Sequence, residues 1–356
     1  MTEPSSPSIP PIATSDLPGT GGAIGPEPED FQVDEIPLYA FSGEGEHLYV
    51  RVRKRLLTTR EAVTRIARAA GVPQSEIGTA GMKDKHAVTT QWMSLPARRA
   101  KPFGEWQMPE GVEVVESTRH GNKLRTGHLK ANSFRIRIVD TEPDAESHAA
   151  AIAARLRERG LPNYFGAQRF GRDGGNIADA LAWLSGEARG ERSRRPPFER
   201  KFFASVVQAE VFNRYVTARL ERSLERPLAG EVVRLEGTGS LFAVEDPEHE
   251  SPRWASNDIH PTGPMIGPKM KKAHGEALAL EEAAAASVGI SPGILAELAR
   301  HADGTRRDVV VKIPMLRLEI EPSGRAFVIE LELPAGSYAT QAVREFSREP
   351  FFRYSG

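Results

Sequence analysis

Cysteine is absent from the 356 residues, which removes thiolate nucleophiles, thiolate metal sites and disulfide frameworks in one step. No apolar run approaches the roughly 18 residues needed to span a bilayer. The N-terminus lacks both the basic start and the apolar centre of a secretory signal. Together these absences point to a cytoplasmic protein with no membrane partner. There is also no His-Glu-x-x-His pair, no Gly-x-x-x-x-Gly-Lys-Ser/Thr phosphate loop and no Gly-x-Ser-x-Gly elbow. The 9 His residues show no metal-ligand spacing, so neither a metal nor a cofactor is expected. An unrelated hydrolase would need a nucleophile and a base that the sequence does not pair. Nothing calls for an obligate protein partner.

Lys and Arg are missing from the first 50 residues, which hold 9 acids. Residues 51–201 reverse this with 29 bases against 17 acids, and the remainder holds 18 against 22. A net charge of −1 therefore conceals a basic middle segment, able to attract phosphates although the whole chain is near neutral. The bland alternative is a set of solvated charged faces.

The length favours two domains over one, with cores large enough to need no staple. Residues 1–27 are rich in Pro, Ser and Gly and poor in large apolar side chains, which predicts a disordered tail; the Gly19-Thr-Gly-Gly cluster within it has no strand before it. Alternating runs at Phe31–Ile36, Leu48–Val52, Thr89–Leu95, Val112–Glu116 and Phe134–Val139 predict strands. Thr58-Thr-Arg-Glu61 is a capping box, and Ala62, Ile66, Ala69 and Ala70 continue at helical spacing to Gly71. Further helices are expected over 144–159, 205–221 and 275–301, and irregular chain over 236–272. Met315–Glu321 and Ala326–Leu333 alternate on either side of Pro322-Ser-Gly-Arg, a hairpin signal. Strand-rich ends around a helix-rich middle predict an α+β fold whose first domain is interrupted by a second.

Three clusters could carry chemistry. Lys83-Asp84-Lys85-His86 lies between a helix and a strand, and an aspartate between two ammonium groups is favoured in the ionised form that nucleophilic or proton-abstracting chemistry needs. By itself such a triplet describes an exposed charged turn. The run from Arg119 to Phe134 interleaves bases with an amide, Asn132, and an aromatic, Phe134, suiting phosphates, a base edge and a stacked ring; it equally describes a basic hairpin with Phe134 in the core. The third run, Asn163 to Arg172, gathers aromatics, glycines, Arg169 and Arg172, and also reads as a structural joint with buried rings.

In this order and spacing the clusters resemble the TruD family of transfer-RNA pseudouridine synthases. The carriers are Pro28-Glu-Asp-Phe31, Ser42-Gly-Glu-Gly-Glu-His47, Gly81-Met-Lys-Asp-Lys-His-Ala-Val-Thr89, Lys123-Leu-Arg-Thr-Gly-His128, Asn163-Tyr-Phe-Gly-Ala-Gln-Arg-Phe-Gly171 and Leu333-Pro-Ala-Gly-Ser-Tyr-Ala-Thr340. The resemblance implies a pseudouridine synthase catalytic domain with a mixed or antiparallel sheet over 28–160 and 313–356, interrupted by a helix-rich α/β insertion over 161–312. It implies Asp84 as the catalytic carboxylate, with Phe31, Lys83, Lys85, His86, Asn132, Phe134, Arg169 and Tyr338 binding substrate. The implied reaction isomerises uridine 13 of transfer RNA. The alternative on the same scaffold is a non-catalytic RNA-binding or RNA-folding protein. Two positions depart from the family's pattern. Gly25 stands where Lys or Arg is usual, leaving a phosphate or active-site contact either missing or supplied elsewhere, and Ala131 stands where Gly often precedes the Asn.

Overall fold

The computed structural model describes residues 9–171, 174–187, 195–313 and 315–349. In chain order the elements are β1 (Gly21–Ile24), β2 (Phe31–Pro37), β3 (His47–Arg55), α1 (Thr59–Ala70), β4 (Gly78–Thr79), β5 (Val88–Pro96), β6 (Val112–His120), β7 (Leu129–Thr141) and α2 (Ala145–Arg159). Next come β8 (Leu161–Pro162), α3 (Gly175–Ser185), α4 (Pro197–Glu221), β9 (Val232–Leu235), β10 (Leu241–Ala243), α5 (Pro247–Ala255) and β11 (Ile259–Met265). The chain continues through α6 (Gly275–Ser287), α7 (Pro292–Leu298), β12 (Thr305–Asp308), β13 (Val310–Val311), β14 (Leu316–Ile320), β15 (Ala326–Pro334) and α8 (Ala339–Ser347).

These form two compact units. One comprises the described residues of Met1–Ser15, Gly160–Val311 and Thr340–Ala342; the other comprises those of Asp16–Arg159, Lys312–Ala339 and Val343–Gly356. The second unit is built on a mixed sheet in the order β14-β15-β7-β2-β5-β3-β6, with β1 added to β7 and β4 to β5. Among the described residues only β2 and β5 run parallel. The mixture of strand directions and helices is the α+β class the sequence predicts.

Helix α1 begins where the capping box sits: Thr58 accepts from the Glu61 backbone, Glu61 returns the bond, and Gly71 closes the helix in the left-handed region at φ 70°. Its buried face is Ala62, Ile66, Ala67 and Ala70, with the expected Ala69 partly buried against the same core. That face packs on Val50, Val52, Met93 and Leu95. A short strand was hidden in the expected tail: β1 pairs with the end of β7, Gly21 opposite Thr141 and Ile24 opposite Ile138. The low apolar content misleads because main-chain bonds hold this segment. Thr20 donates to Phe346 at 2.8 Å, His148 Nδ1 lies 2.9 Å from the Gly19 carbonyl, and a Cβ on Gly22 would collide with the Val139 carbonyl. Residues 1–8 lie outside the described residues.

In the other unit α4 is the axis, with 13 buried residues, and an antiparallel sheet in the order β10-β9-β11-β12 stands beside it. Here the expectation of irregular chain over 236–272 fails, because β10, α5 and β11 all fall inside it. Strand β11 reads Ile-His-Pro-Thr-Gly-Pro-Met, a composition that argues against a strand. It pairs with β9 through Ile259–Pro261 and with β12 through Thr262–Met265, and a Cβ on Gly263 would stand 2.8 Å from the rings of Phe212 and Tyr215. Helix packing, which sequence periodicity does not report, requires the glycine. The expected helix over 275–301 is two, α6 and α7, broken by Gly289 at φ 84°. Among the described residues no single helix is long and apolar enough to cross a membrane; α6 and α7 reach that length only as a pair bent by 94°.

Candidate active site

Side chains directly opposed in a sheet share a face. Lys54, Thr89, Val33, Phe134 and Leu331 therefore form one transverse row across β3, β5, β2, β7 and β15. The next row carries Val52 and Gln91 on one side and Glu35, Asn132 and Leu333 on the other. Between its halves the sheet opens. Strands β2 and β5 pair only through Gln32, Val33 and Asp34, and beyond that point the Glu35 carboxylate accepts the Trp92 backbone N–H at 3.1 Å.

The loop carrying Asp84 lies over this opening. Lys83, 4% exposed at its side chain, reaches the Glu35 carboxylate at 2.8 Å, itself 1% exposed. Its backbone N–H donates to Thr59 Oγ1 at 2.9 Å, and that hydroxyl donates to Gln91 at 2.9 Å. From the sheet, the Lys54 ammonium donates to the carbonyl of Asp84 at 2.6 Å. Asp84 itself is half-buried, while Lys85 and His86 are exposed. The two flanking lysines thus differ in role: Lys83 is an anchor with a buried partner, and Lys85 faces solvent.

Phe31 and Phe134 are buried and meet edge to face, with ring centroids 6.1 Å apart at 74°. Asn132 sits opposite Glu35, one row from Phe134. Asn132 is half-buried, and its Oδ1 has no hydrogen bond from the described residues. Buried polar atoms seldom stay unbonded, so this amide oxygen is equipped to accept from a polar guest. Tyr338 is half-buried at the N-cap of α8, four residues past the end of β15. The basic segment 119–128 joins the site through its backbone: Gly127 N donates to Ala80 O at 2.9 Å, and Leu124 N donates to Ser94 Oγ at 2.9 Å. A Cβ on Gly78 would collide with the Leu124 carbonyl, so that glycine permits the docking.

Phe31, Lys83, Asp84, Lys85, His86, Asn132, Phe134 and Tyr338 thus all belong to one unit, whereas Arg169 belongs to the other. There Arg169 Nη1 is 3.4 Å from Ser205 Oγ and its guanidinium lies over Phe165. The rings of Tyr164, Phe165 and Phe170 are buried, as the joint reading expects. Arg172 lies outside the described residues.

Sequence reasoning missed Lys54. It is fully buried at 0% exposure, and burial pulls its amine down to about 8, offset in part by the Asp84 carboxylate. A signal was present: the alternation that points Val50 and Val52 inward continues to residue 54, placing a lysine on the buried phase. The departure at Gly25 also has a structural account. A Cβ there would collide with the Asp30 carboxylate, which accepts from Glu27 N at 3.0 Å and lies 3.5 Å from the Arg137 guanidinium. Ala131 lies within β7, opposite Ile36 and Pro334, and needs no positive φ.

Over residues 11–177 and 193–346 the chain matches the family model of tRNA pseudouridine synthase D (TruD). A tRNA pseudouridine synthase D of Anaeromyxobacter sp. (strain Fw109-5) is 43% identical over 341 residues, 95% of this chain and 96% of that one. One from Thermus thermophilus is 39% identical over 336 residues, covering 94% and 91%. In three dimensions the crystal structure assigned to TruD of Methanosarcina mazei superposes with a TM-score of 0.76 over 97% of this chain and 99% of that one, at 23% identity, a likeness of fold. The chain belongs to the TruD family of tRNA pseudouridine synthases, isomerases that convert uridine to pseudouridine in transfer RNA.

Proposed function

We propose that Asp84 is the carboxylate that starts this isomerisation and that the target is uridine 13 of transfer RNA, modified in the cytoplasm with no cofactor, membrane or obligate protein partner. We assign the catalytic role to residues 28–160 and 313–356 and treat 161–312 as an insertion that adds RNA contacts. The observation that carries the reading is the anchoring of the Asp84 loop, tied through Lys83 to Glu35 and Thr59 and through its own carbonyl to Lys54.

The reaction breaks the N1–C1′ bond, turns the base and forms C5–C1′, with a proton leaving C5 and one added to N1. No atom is gained or lost, so holding the detached ring matters more than supplying reagents. Phe31 and Phe134 offer an apolar floor, and the unbonded Asn132 amide offers an acceptor to the N3–H of uracil. Tyr338 stands at the rim, and Lys85, His86 and Arg169 are suited to phosphates. A target nucleotide inside folded RNA must be extruded, at a cost of a few kcal/mol that phosphate contacts offset.

The test is to replace Asp84 with alanine and map pseudouridine in unmodified transfer RNA at nucleotide resolution. Asp84→Ala should bind RNA within about threefold of wild type while its rate falls by roughly 10⁴-fold or more. Full activity in this variant would remove Asp84 from the role.

A further inference from the structure

We propose that Lys54 is a positioning residue for the isomerisation, fixing the peptide of Asp84 from the sheet side and setting the direction of its carboxylate. The inference rests on the assignment of catalysis to Asp84.

Lys54 occupies the inward phase of β3, in the same transverse row as Thr89, Val33 and Phe134. Its ammonium donates to two carbonyls, Leu57 O and Asp84 O, both at 2.6 Å. Leu57 directly precedes the cap of α1, and Asp84 is the centre of the loop, so one buried cation ties the start of the helix to the reactive residue. Among the described residues no carboxylate stands within ion-pair distance of Lys54 Nζ. An ammonium buried without an ion pair is costly to fold around, and a hydrophobic side chain would fill the same space at lower cost. The charge therefore acts on what surrounds it. Asp84 and Lys83 face it from the loop and Glu61 faces it from α1. Glu35, on β2, is taken up by Lys83. Thr89 and Gln91 on β5 carry no charge, and Arg53 and Arg55, its neighbours along β3, are exposed.

When the ammonium loses its proton, the bond to the Asp84 carbonyl loses its charge assistance and the carboxylate loses its facing cation. Burial places that loss near pH 8. Catalysis should then fail from the alkaline side before RNA binding does.

The experiment measures single-turnover pseudouridine formation and transfer-RNA affinity for wild type, Lys54→Met and Asp84→Ala from neutral to alkaline pH. Lys54→Met keeps the apolar stem and removes the charge. Its rate should fall about 100-fold, the scale of a small misplacement of a reacting group, with affinity within about threefold of wild type. Its rate should also lack the decline centred near pH 8 that is expected of wild type. Ionisation of uridine would move both curves alike. Equal rates for the two proteins, or parallel losses of rate and affinity in Lys54→Met, overturn the proposal. If Lys54→Met does not fold, the wild-type profile decides: a rate that stays level through the midpoint and a full unit above it overturns the inference. An active Asp84→Ala would instead sink the assignment beneath it, whatever Lys54 does.

Discussion

Asp84 stands between two lysines in the chain, and the fold gives those lysines opposite surroundings. Lys83 is buried against Glu35, and Lys85 faces solvent. The sequence could flag the triplet but not this asymmetry, because the partner of this loop lysine lies far away in the chain, at position 35 on β2. A buried ion pair reveals its weight when half of it is removed. Glu35→Ala leaves the Lys83 ammonium unpaired and the Trp92 N–H without its acceptor, and should lower stability by about 3–5 kcal/mol in urea unfolding. The paired change Glu35→Leu with Lys83→Met should recover most of that loss. Removing an exposed pair such as Arg53 and Glu113 should cost less than about 1 kcal/mol. For Lys54 the sign runs the other way. Its folded amine sits near 8 and its unfolded amine at 10.5, so the unfolded chain holds the proton more tightly between those values. Its contribution to stability rises with pH across that window, and below it the burial cost, about 3 kcal/mol, is fully present.

At the scale of elements, local chemistry was legible wherever it decided the outcome. The capping box placed the start of α1 at Thr59, and the two-residue alternation placed β2, β3, β5, β6, β7, β14 and β15 within a few residues. Where tertiary contacts decided, the sequence misled. Strand β1 is held by its backbone and by glycines that allow close approach, and β11 tolerates prolines because each half pairs on a different side. The site followed the same division. Phe31, Asn132 and Phe134 were marked by motif, but that they share adjoining rows with Lys54 follows from strand register, which no local pattern states. Gly263 offers a test of packing over propensity. Gly263→Ala would drive a methyl into the rings of Phe212 and Tyr215, and should cost about 1–3 kcal/mol despite the better strand propensity of alanine. Thermal unfolding measures it, and an unchanged midpoint would contradict the packing argument.

Across the whole molecule the charge pattern resolves in a way segment totals could not show. Five of the 9 acids in the base-free first 50 residues pair with bases of the middle segment: Asp16 with Arg155, Glu29 with Arg55, Asp30 with Arg137, Asp34 with Arg51 and Glu35 with Lys83. The apparent positive excess is partly neutralised within the unit that holds the site. Arg125 and Lys130 remain exposed and make no ion pair among the described residues. Replacing each with alanine should lower the salt dependence of transfer-RNA binding by about 0.7–0.9 in log–log slope per residue. Titrations at several salt concentrations would show it, and an unchanged slope would place the phosphate contacts elsewhere.

The short pairing of β8 with β13 sets Leu161 opposite Val311 and Pro162 opposite Val310. It has a kinetic consequence. Strand β15 must find β7 across nine paired positions, from Ala326 opposite Val139 to Pro334 opposite Ala131, and an unfolded excursion of that length makes the search entropically slow. Once the β8–β13 clasp has formed, the excursion counts as a tie of a few residues. Folding of the intervening unit first therefore shortens the search that completes the sheet, and during synthesis that sheet stays open until the final hairpin has left the ribosome.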